Sequence, residues 1–293
     1  MTRLSKKYAK RKEREFSFIR DAWRRFKRNR TAVFGLFLIF LLIFVAVFAG
    51  VITKHSPYTS VPASANQTPN ANHWFGADHM GRDLFARCIY GARWSLPIGL
   101  VSMVLALLGG GMLGLVAAFF GKRTDEVIMR IADVFQAIPG VLMAITVVAT
   151  LGAGTPQLLI AIFISFVPTM SRIVRAAVLT VRGNEYIQAA ICVGSRNMHL
   201  MLRHMLPNAV GHIIIFAVFT ISAGINLVTT LSYIGLGIQP PAPEWGSLLA
   251  SGRHFISVFP HMVIFPGAMI MVTILAFNLF GDGLRDALDP RLK

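Results

Sequence analysis

Charged side chains are scarce in this sequence, at 14% of 293 residues, whereas hydrophobic residues make up 55%. Soluble domains carry about 25% charged residues, and their apolar residues are dispersed among them. Here the apolar residues are clustered in stretches of about 20, long enough to cross roughly 30 Å of hydrocarbon. The shortage of charge therefore excludes an ordinary soluble domain and indicates an all-α membrane protein.

Acidic residues are also few, at 13 Asp and Glu against 29 Lys and Arg, which gives a formal charge of +16. A charge of this size can mark a nucleic-acid-binding protein. However, 13 of the basic residues lie between Arg3 and Arg30, directly before the first apolar stretch. Basic residues at this position are typical of a cytoplasmic flank in contact with anionic lipid. We expect membrane lipid as a partner and no nucleic acid.

Motifs for catalysis, nucleotide binding and metal binding are missing. No G-x-x-x-x-G-K-[ST] sequence occurs, so any ATP hydrolysis must come from a partner subunit, and we expect neither enzymatic activity nor a cofactor in this chain. Cys88 and Cys192 are predicted on opposite sides of the membrane and should not pair. His199 and His204 lack an H-E-x-x-H pattern. The histidines of the outer segments are expected to be unlinked, so no metal site is assigned. These outer histidines are His55, His73, His79 and His261.

Six apolar stretches predict six transmembrane helices. Pro139 and Gly140 fall inside the third and predict a kink there. The basic residues between the stretches place both termini in the cytoplasm. The six predicted helices cover Thr31–Ile52, Ser95–Phe120, Val127–Leu151, Gln157–Val178, Asn208–Leu231 and Ser257–Phe280.

The same pattern divides the chain into four parts. Residues 1–30 form a basic segment in which Phe18, Trp23 and Phe26 alternate with arginines and lysines, as in an amphipathic helix lying on the inner leaflet. Residues 31–94 comprise the first helix and an outer loop. Residues 95–282 form the transmembrane core, with a cytoplasmic loop at 181–207, and residues 283–293 form a cytoplasmic tail.

The loop at 181–207 has the pattern of two short helices. Asn184 is a plausible N-cap, Gly194 can adopt the left-handed conformation that ends a helix, and Pro207 predicts the next boundary. The first helix would present an apolar surface that either docks a partner protein or packs under its own bundle, and the residues alone leave both open. The surface consists of Tyr186, Ile187, Ala190 and Ile191.

This loop resembles the cytoplasmic signature of ABC importer permeases, which reads Glu-Ala-Ala, three residues, Gly, and then a hydrophobic residue near Leu-Pro. The matching residues are Gln188-Ala189-Ala190, Gly194 and Leu206-Pro207; Gln188 replaces the family's Glu and removes a charge. The resemblance implies that the loop couples to an ATPase. The residues assigned to coupling are Glu185, Tyr186, Gln188, Ala189, Ala190, Gly194, Arg203, Leu206 and Pro207.

Residues 74–95, 240–246 and 276–291 are similar to segments of the dipeptide, oligopeptide and nickel branch of this family, specifically the second of its two paired permeases. The resemblance implies the type I importer fold of the methionine importer permease. It also implies a bacterial or archaeal inner membrane, and a pore shared with a sister permease. The other implied partners are two ATPase subunits and an extracytoplasmic substrate-binding protein.

Peptides are the expected cargo, with nickel or another small solute as the alternative. A secondary transporter is the rival from another class, because Pro139, Pro168 and Pro266 could interrupt helices around an ion site. Asp133 is its best ion-binding candidate, although pairing with Arg130 is expected instead. Polar residues of the fifth helix are candidates for lining the pathway: Ser222, Asn226, Thr229 and Thr230.

Overall fold

A computed structural model of the protein describes residues 20–288, and within that range the regular structure is helical. Five helices are long and apolar enough to cross a membrane, or up to six if one bent pair counts as a single span. The helices are α1 (Arg30–Val47), α2 (Leu84–Phe120), α3 (Lys122–Gln136), α4 (Gly140–Leu151), α5 (Thr155–Arg182), α6 (Glu185–Cys192), α7 (Asn197–Tyr233), α8 (Trp245–Gly252) and α9 (His261–Leu288).

Helix α2 begins at Leu84, eleven residues before the predicted start at Ser95. Asp83 caps it, because its carboxylate accepts a hydrogen bond from the backbone N–H of Ala86 at 2.6 Å. The added turns are buried rather than loop-like: Cys88 and Ala92 have no exposed surface. Their packing against the rest of the bundle explains why a stretch with two arginines is helical.

The kink predicted in the third helix is confirmed, and it is a complete break between two helices. Helices α3 and α4 meet at 82° across a break of three residues that ends at Pro139. Proline lacks the backbone N–H that a continuing helix would need, so the chain reorients there. The third predicted crossing is therefore a broken pair of helices.

The predicted boundary at Pro207 is wrong. Helix α7 runs without interruption from Asn197 to Tyr233, so the second half of the loop predicted at 181–207 is the beginning of the fifth predicted span. A wide π-type turn, Leu200–Met205, precedes the proline. Because the regular hydrogen-bond register is already displaced in this turn, the missing N–H of Pro207 does not end the helix.

The first and last long helices pack closely against each other. A Cβ atom placed on Gly35 of α1 would lie 2.8 Å from the backbone nitrogen of Phe280 and 2.9 Å from the carbonyl oxygen of Ala276. Small residues permit this backbone approach within a membrane, where helix association depends on close packing.

The basic segment before α1 is helical over residues 20–28. Phe26 is buried and lies edge-on to Phe280 of α9, whereas Trp23 is half-exposed and has the ammonium of Lys27 over its ring. The segment thus attaches to α9 through one face. The third aromatic residue of the predicted amphipathic pattern, Phe18, lies outside the described residues.

We predict that Gly35→Ala destabilises the protein by about 1–3 kcal/mol, because the new methyl group would meet rigid backbone of α9. Gly211→Ala in α7 is the matched control: nothing lies within 4 Å of a Cβ at that position, so this variant should be as stable as wild type or slightly more stable. Thermal unfolding followed by fluorescence-detected gel filtration in detergent measures both. Equal stability of the two variants would contradict the close α1–α9 packing.

Candidate functional site: a helix that attaches to two long helices

Helix α6 is a short helix between the ends of α5 and α7. Asn184 is its N-cap residue as predicted, but it acts through its backbone: its carbonyl oxygen accepts from the N–H groups of Ile187 at 3.0 Å and Gln188 at 3.4 Å. Its side chain makes no capping hydrogen bond. Glu185 in the first turn is favourably placed with respect to the helix dipole.

The apolar surface predicted on α6 is divided between two faces. Ile187 is 1% exposed, which corrects its assignment to an exposed surface. It belongs to a buried cluster that includes Val178 and Val181 of α5 and Met201 and Met205 of α7. The sequence pattern could not distinguish which apolar residue faced inward, because the helix has only eight residues. Ile187 therefore attaches α6 to both long helices.

Other apolar side chains of α6, and that of Val193 directly after it, are exposed. Tyr186 is 44% exposed, Ile191 54% and Val193 86%, and Ala190 is half-buried between the two faces. Met198 and Leu202 at the beginning of α7 are exposed as well. Apolar side chains grouped in this way are typical of a protein or membrane contact. The other residues assigned to coupling on this surface are exposed as well: Glu185, Gln188, Ala189, Arg203 and Pro207.

Gly194 ends α6 in the left-handed conformation that the sequence predicted, with φ of 79°. Its N–H donates to the carbonyl of Ile191 at 2.9 Å, and the N–H of Ser195 donates to the carbonyl of Ala190 at 3.1 Å. Nothing lies within 4 Å of a Cβ placed on this glycine. The requirement for glycine is therefore one of backbone conformation and not of space.

Ion pairs attach α3 to α5 beside this cluster. Arg175 donates two hydrogen bonds of 2.5 Å to the carboxylate of Asp125. Asp133 pairs with Arg172 of α5 rather than with Arg130 of its own helix, which corrects the expected partner. The correction follows from packing: α3 lies alongside α5, so a carboxylate on that face meets arginines of the neighbouring helix. Asp133 is thus engaged in an interhelical ion pair.

The candidate pathway residues of α7 do not share one environment. Ser222 and Thr229 are buried, Asn226 is exposed, and the hydroxyl of Thr230 donates to the carbonyl of Asn226 at 2.9 Å. Among the described residues, the hydroxyls of Ser222 and Thr229 have no hydrogen-bond partner. A pathway role for these four residues stays a prediction.

Sequence reasoning missed a buried carboxylate, Glu244. It has no exposed surface and caps α8, accepting from the N–H groups of Gly246 at 2.8 Å and Ser247 at 2.9 Å. The hydroxyl of Ser95 on α2 also donates to it, at 3.5 Å. Burial raises the pKa of this carboxyl group. The signal available in the sequence was an acidic residue followed by a short helix-forming stretch.

Three predicted outer segments meet at one end of the bundle. Together they line a groove of about 410 Å³, to which the first contributes Tyr58, the second Gly154 and the third Gln239, beside Trp94 of α2.

The two cysteines are both free, as expected: Cys88 is buried and Cys192 exposed. Of the outer histidines expected to be unlinked, His55 and His73 are adjacent, with ring centroids 5.0 Å apart, so that expectation is wrong for this pair.

Comparison with known proteins defines the class of this chain. Residues 110–293 match the family described as the binding-protein-dependent transport system inner membrane component, and residues 17–69 match the N-terminal transmembrane domain of oligopeptide transport permease C. The first match alone covers more than half of the chain.

Curated relatives match nearly the full length. The chain is 43% identical to the dipeptide transport system permease protein DppC of Alkalihalophilus pseudofirmus, over 94% of this chain and 90% of that protein. It is 39% identical to the oligopeptide transport system permease protein OppC of Bacillus subtilis, over 96% and 92% of the two chains. It is 40% identical to the glutathione transport system permease protein GsiD of Pectobacterium atrosepticum, over 94% and 91%.

A solved structure supports the fold. A chain of the MetNI methionine ABC transporter, in an inward-facing conformation, superimposes with a TM-score of 0.58 at 16% identity, over 70% of this chain and 97% of that one. The protein belongs to the family of binding-protein-dependent ABC transport permeases. It is a multi-pass inner-membrane permease subunit, and its family implies partner ATPases and a binding protein.

Proposed function

We propose that this permease forms half of the translocation pathway of an importer for di- or oligopeptides. The support comes from its relatives, whose names specify dipeptides, oligopeptides and glutathione, all of which contain peptide bonds. A nickel or other small-solute importer is the alternative, because cargo selection in such systems rests largely with the separate binding protein.

The proposed topology has six crossings with both termini in the cytoplasm. Its support is the bent pair of α3 and α4, which together supply the sixth crossing, and the meeting of three predicted outer segments at one groove. The segments 53–83, 152–154 and 234–260 lie on the same side only if an even number of crossings separates each segment from the next. The proposed organisation keeps the segments 1–30, 31–94, 95–282 and 283–293, although α2 continues across the second boundary and α9 across the third.

The proposed assembly contains a sister permease, two ATPase subunits and an extracytoplasmic binding protein. One permease of this size forms only one wall of a pathway, and large apolar side chains such as Phe40, Val134 and Met271 remain exposed on its long helices. In a membrane these side chains face lipid or the sister permease. Asn226 and its neighbours on α7 are the proposed contribution to the pathway lining.

The single observation that carries the coupling role is the division of α6 into a buried and an exposed face. The exposed face, with Tyr186, Ile191 and Val193, is the proposed docking surface for the ATPase. The buried face, through Ile187, transmits displacement of α6 to α5 and α7, since packed side chains move together as a rigid unit. ATP-driven closure of the ATPases would thereby change the relative positions of the spans. Gln188 supplies a neutral hydrogen-bonding group at this surface.

We predict that Gly194→Val uncouples ATP hydrolysis from transport, because a β-branched residue is strongly disfavoured at positive φ and the turn would change direction. Gly194→Asn is the matched control, since asparagine tolerates the left-handed conformation. In proteoliposomes containing all subunits, we expect at least a tenfold loss of uptake per ATP hydrolysed for the valine variant and near-normal coupling for the asparagine variant. Normal coupling in Gly194→Val would contradict the proposal.

The substrate class is tested through the binding protein that co-purifies with the permease. We expect it to bind dipeptides or longer peptides, measured by calorimetry, and peptide uptake to depend on ATP. Binding of nickel without peptide would favour the alternative. Ion-driven uptake by the permease alone, reconstituted without partners, would favour a secondary transporter and contradict the ABC mechanism.

A further inference from the structure

The loop between α1 and α2 brings together three side chains with metal-binding donor atoms. His55, His73 and Asp83 each offer one such atom, and these atoms lie within 4.8 Å of one another. The three residues are 18 and 10 positions apart in sequence, so folding of the loop and not local spacing brings them together. Asp83 is buried, His73 is half-buried and His55 is exposed.

Asp83 has one carboxylate oxygen available in this cluster. Its Oδ1 accepts from the N–H of Ala86 and caps α2, whereas its Oδ2 lies 2.7 Å from Nδ1 of His73. Arg82, the neighbouring cation, is held by Asp78 at 2.7 Å instead. The negative charge at Oδ2 therefore faces the imidazole of His73.

The two imidazoles are held in place by backbone interactions. The backbone N–H of His73 donates to Oδ1 of Asn70 at 2.9 Å, and the ring Nε2 of His55 lies 3.2 Å from the backbone carbonyl oxygen of Asn72. If Nε2 of His55 donates to that carbonyl, the lone pair is on Nδ1. Metal-binding histidines commonly have this arrangement, in which the other ring nitrogen donates to a backbone carbonyl.

We propose that His55, His73 and Asp83 bind a zinc-type divalent cation. Two imidazoles and one carboxylate are a donor set that suits Zn²⁺, whereas Ca²⁺ and Mg²⁺ prefer oxygen ligands alone. Tetrahedral ligands at about 2.0 Å from zinc are about 3.3 Å apart. Binding therefore releases the proton between Nδ1 of His73 and Oδ2 of Asp83 to solvent and moves these two atoms from 2.7 Å to about 3.3 Å apart, with the fourth position open to water.

A cation at this position would connect three parts of the loop. His55 follows the end of α1, His73 lies in the middle of the loop, and Asp83 is the N-cap residue of α2. The cross-link would fix the loop relative to both helices at the end of the bundle where the groove opens. The proposal is that this cation stays bound to the loop, whichever solute the permease transports.

Zinc binding is tested on the full-length permease in detergent, purified through a tag without histidine. Every protein carries His199→Gln, because the rings of His199 and His204 lie 5.2 Å apart and could give a background site. With Zn²⁺ as the probe, we expect one ion bound per chain by calorimetry and protection of residues 53–83 from limited proteolysis. Excess Ca²⁺ or Mg²⁺ should not displace it.

Three variants locate the site. His55→Gln and His73→Gln should each weaken zinc affinity at least tenfold, and Asp83→Asn should do so while its side-chain oxygen still caps α2. His79→Gln is the control, since His79 lies in the same loop but stacks on Phe255 outside the cluster. Absence of stoichiometric zinc binding by the parent protein, or equal losses in the control and the three variants, would overturn the proposal.

Discussion

The proposed coupling mechanism depends on the burial of one side chain, Ile187. A helix of eight residues cannot hold a position by itself, because isolated helices of this length are unstable in water. Packing of Ile187 among residues of α5 and α7 gives α6 a fixed orientation. Its exposed apolar side chains are then presented in a defined direction, and in the proposed mechanism displacement of α6 is transmitted to two long helices together.

Gly194 and the ion pairs extend this attachment. The left-handed turn at Gly194 sets the direction in which α7 leaves, and α7 is continuous from the loop through the bundle. On the other side, Arg172 and Arg175 of α5 bind carboxylates of α3. In the proposed mechanism, a displacement of α6 would therefore involve α3, α5 and α7, and the helix break at Pro139 directly follows α3. The arrangement explains how a short surface helix can act on much of the bundle.

The sequence predicted the helical class, the apolar spans, the break near Pro139 and the glycine turn at 194, because each depends on local chemistry. Hydropathy, the missing N–H of proline and the freedom of glycine at positive φ can all be identified from single residues. The inward orientation of Ile187, the pairing of Asp133 with Arg172 and the continuation of α7 through Pro207 could not be predicted. Each depends on which elements become neighbours in three dimensions.

The same distinction applies to the other end of the bundle. Sequence reasoning gave Glu244 no role, and its role as a buried cap is evident only in the structure, where Ser95 of α2 reaches it. His55 and His73 are separated by 17 intervening residues and were expected to be unlinked, yet their rings are neighbours. Functional residues of a loop are therefore the part of such a permease for which structure adds most to sequence.

The central claim is that the exposed face of α6 docks the ATPase while the buried face attaches to the bundle. Site-specific photo-crosslinking in the assembled transporter tests it most directly, with a photoreactive amino acid at position 193 compared with one at position 37 on the exposed surface of α1. The account predicts an ATPase adduct from position 193 and none from position 37. Absence of an ATPase adduct at position 193, in a complex that retains transport, would contradict it.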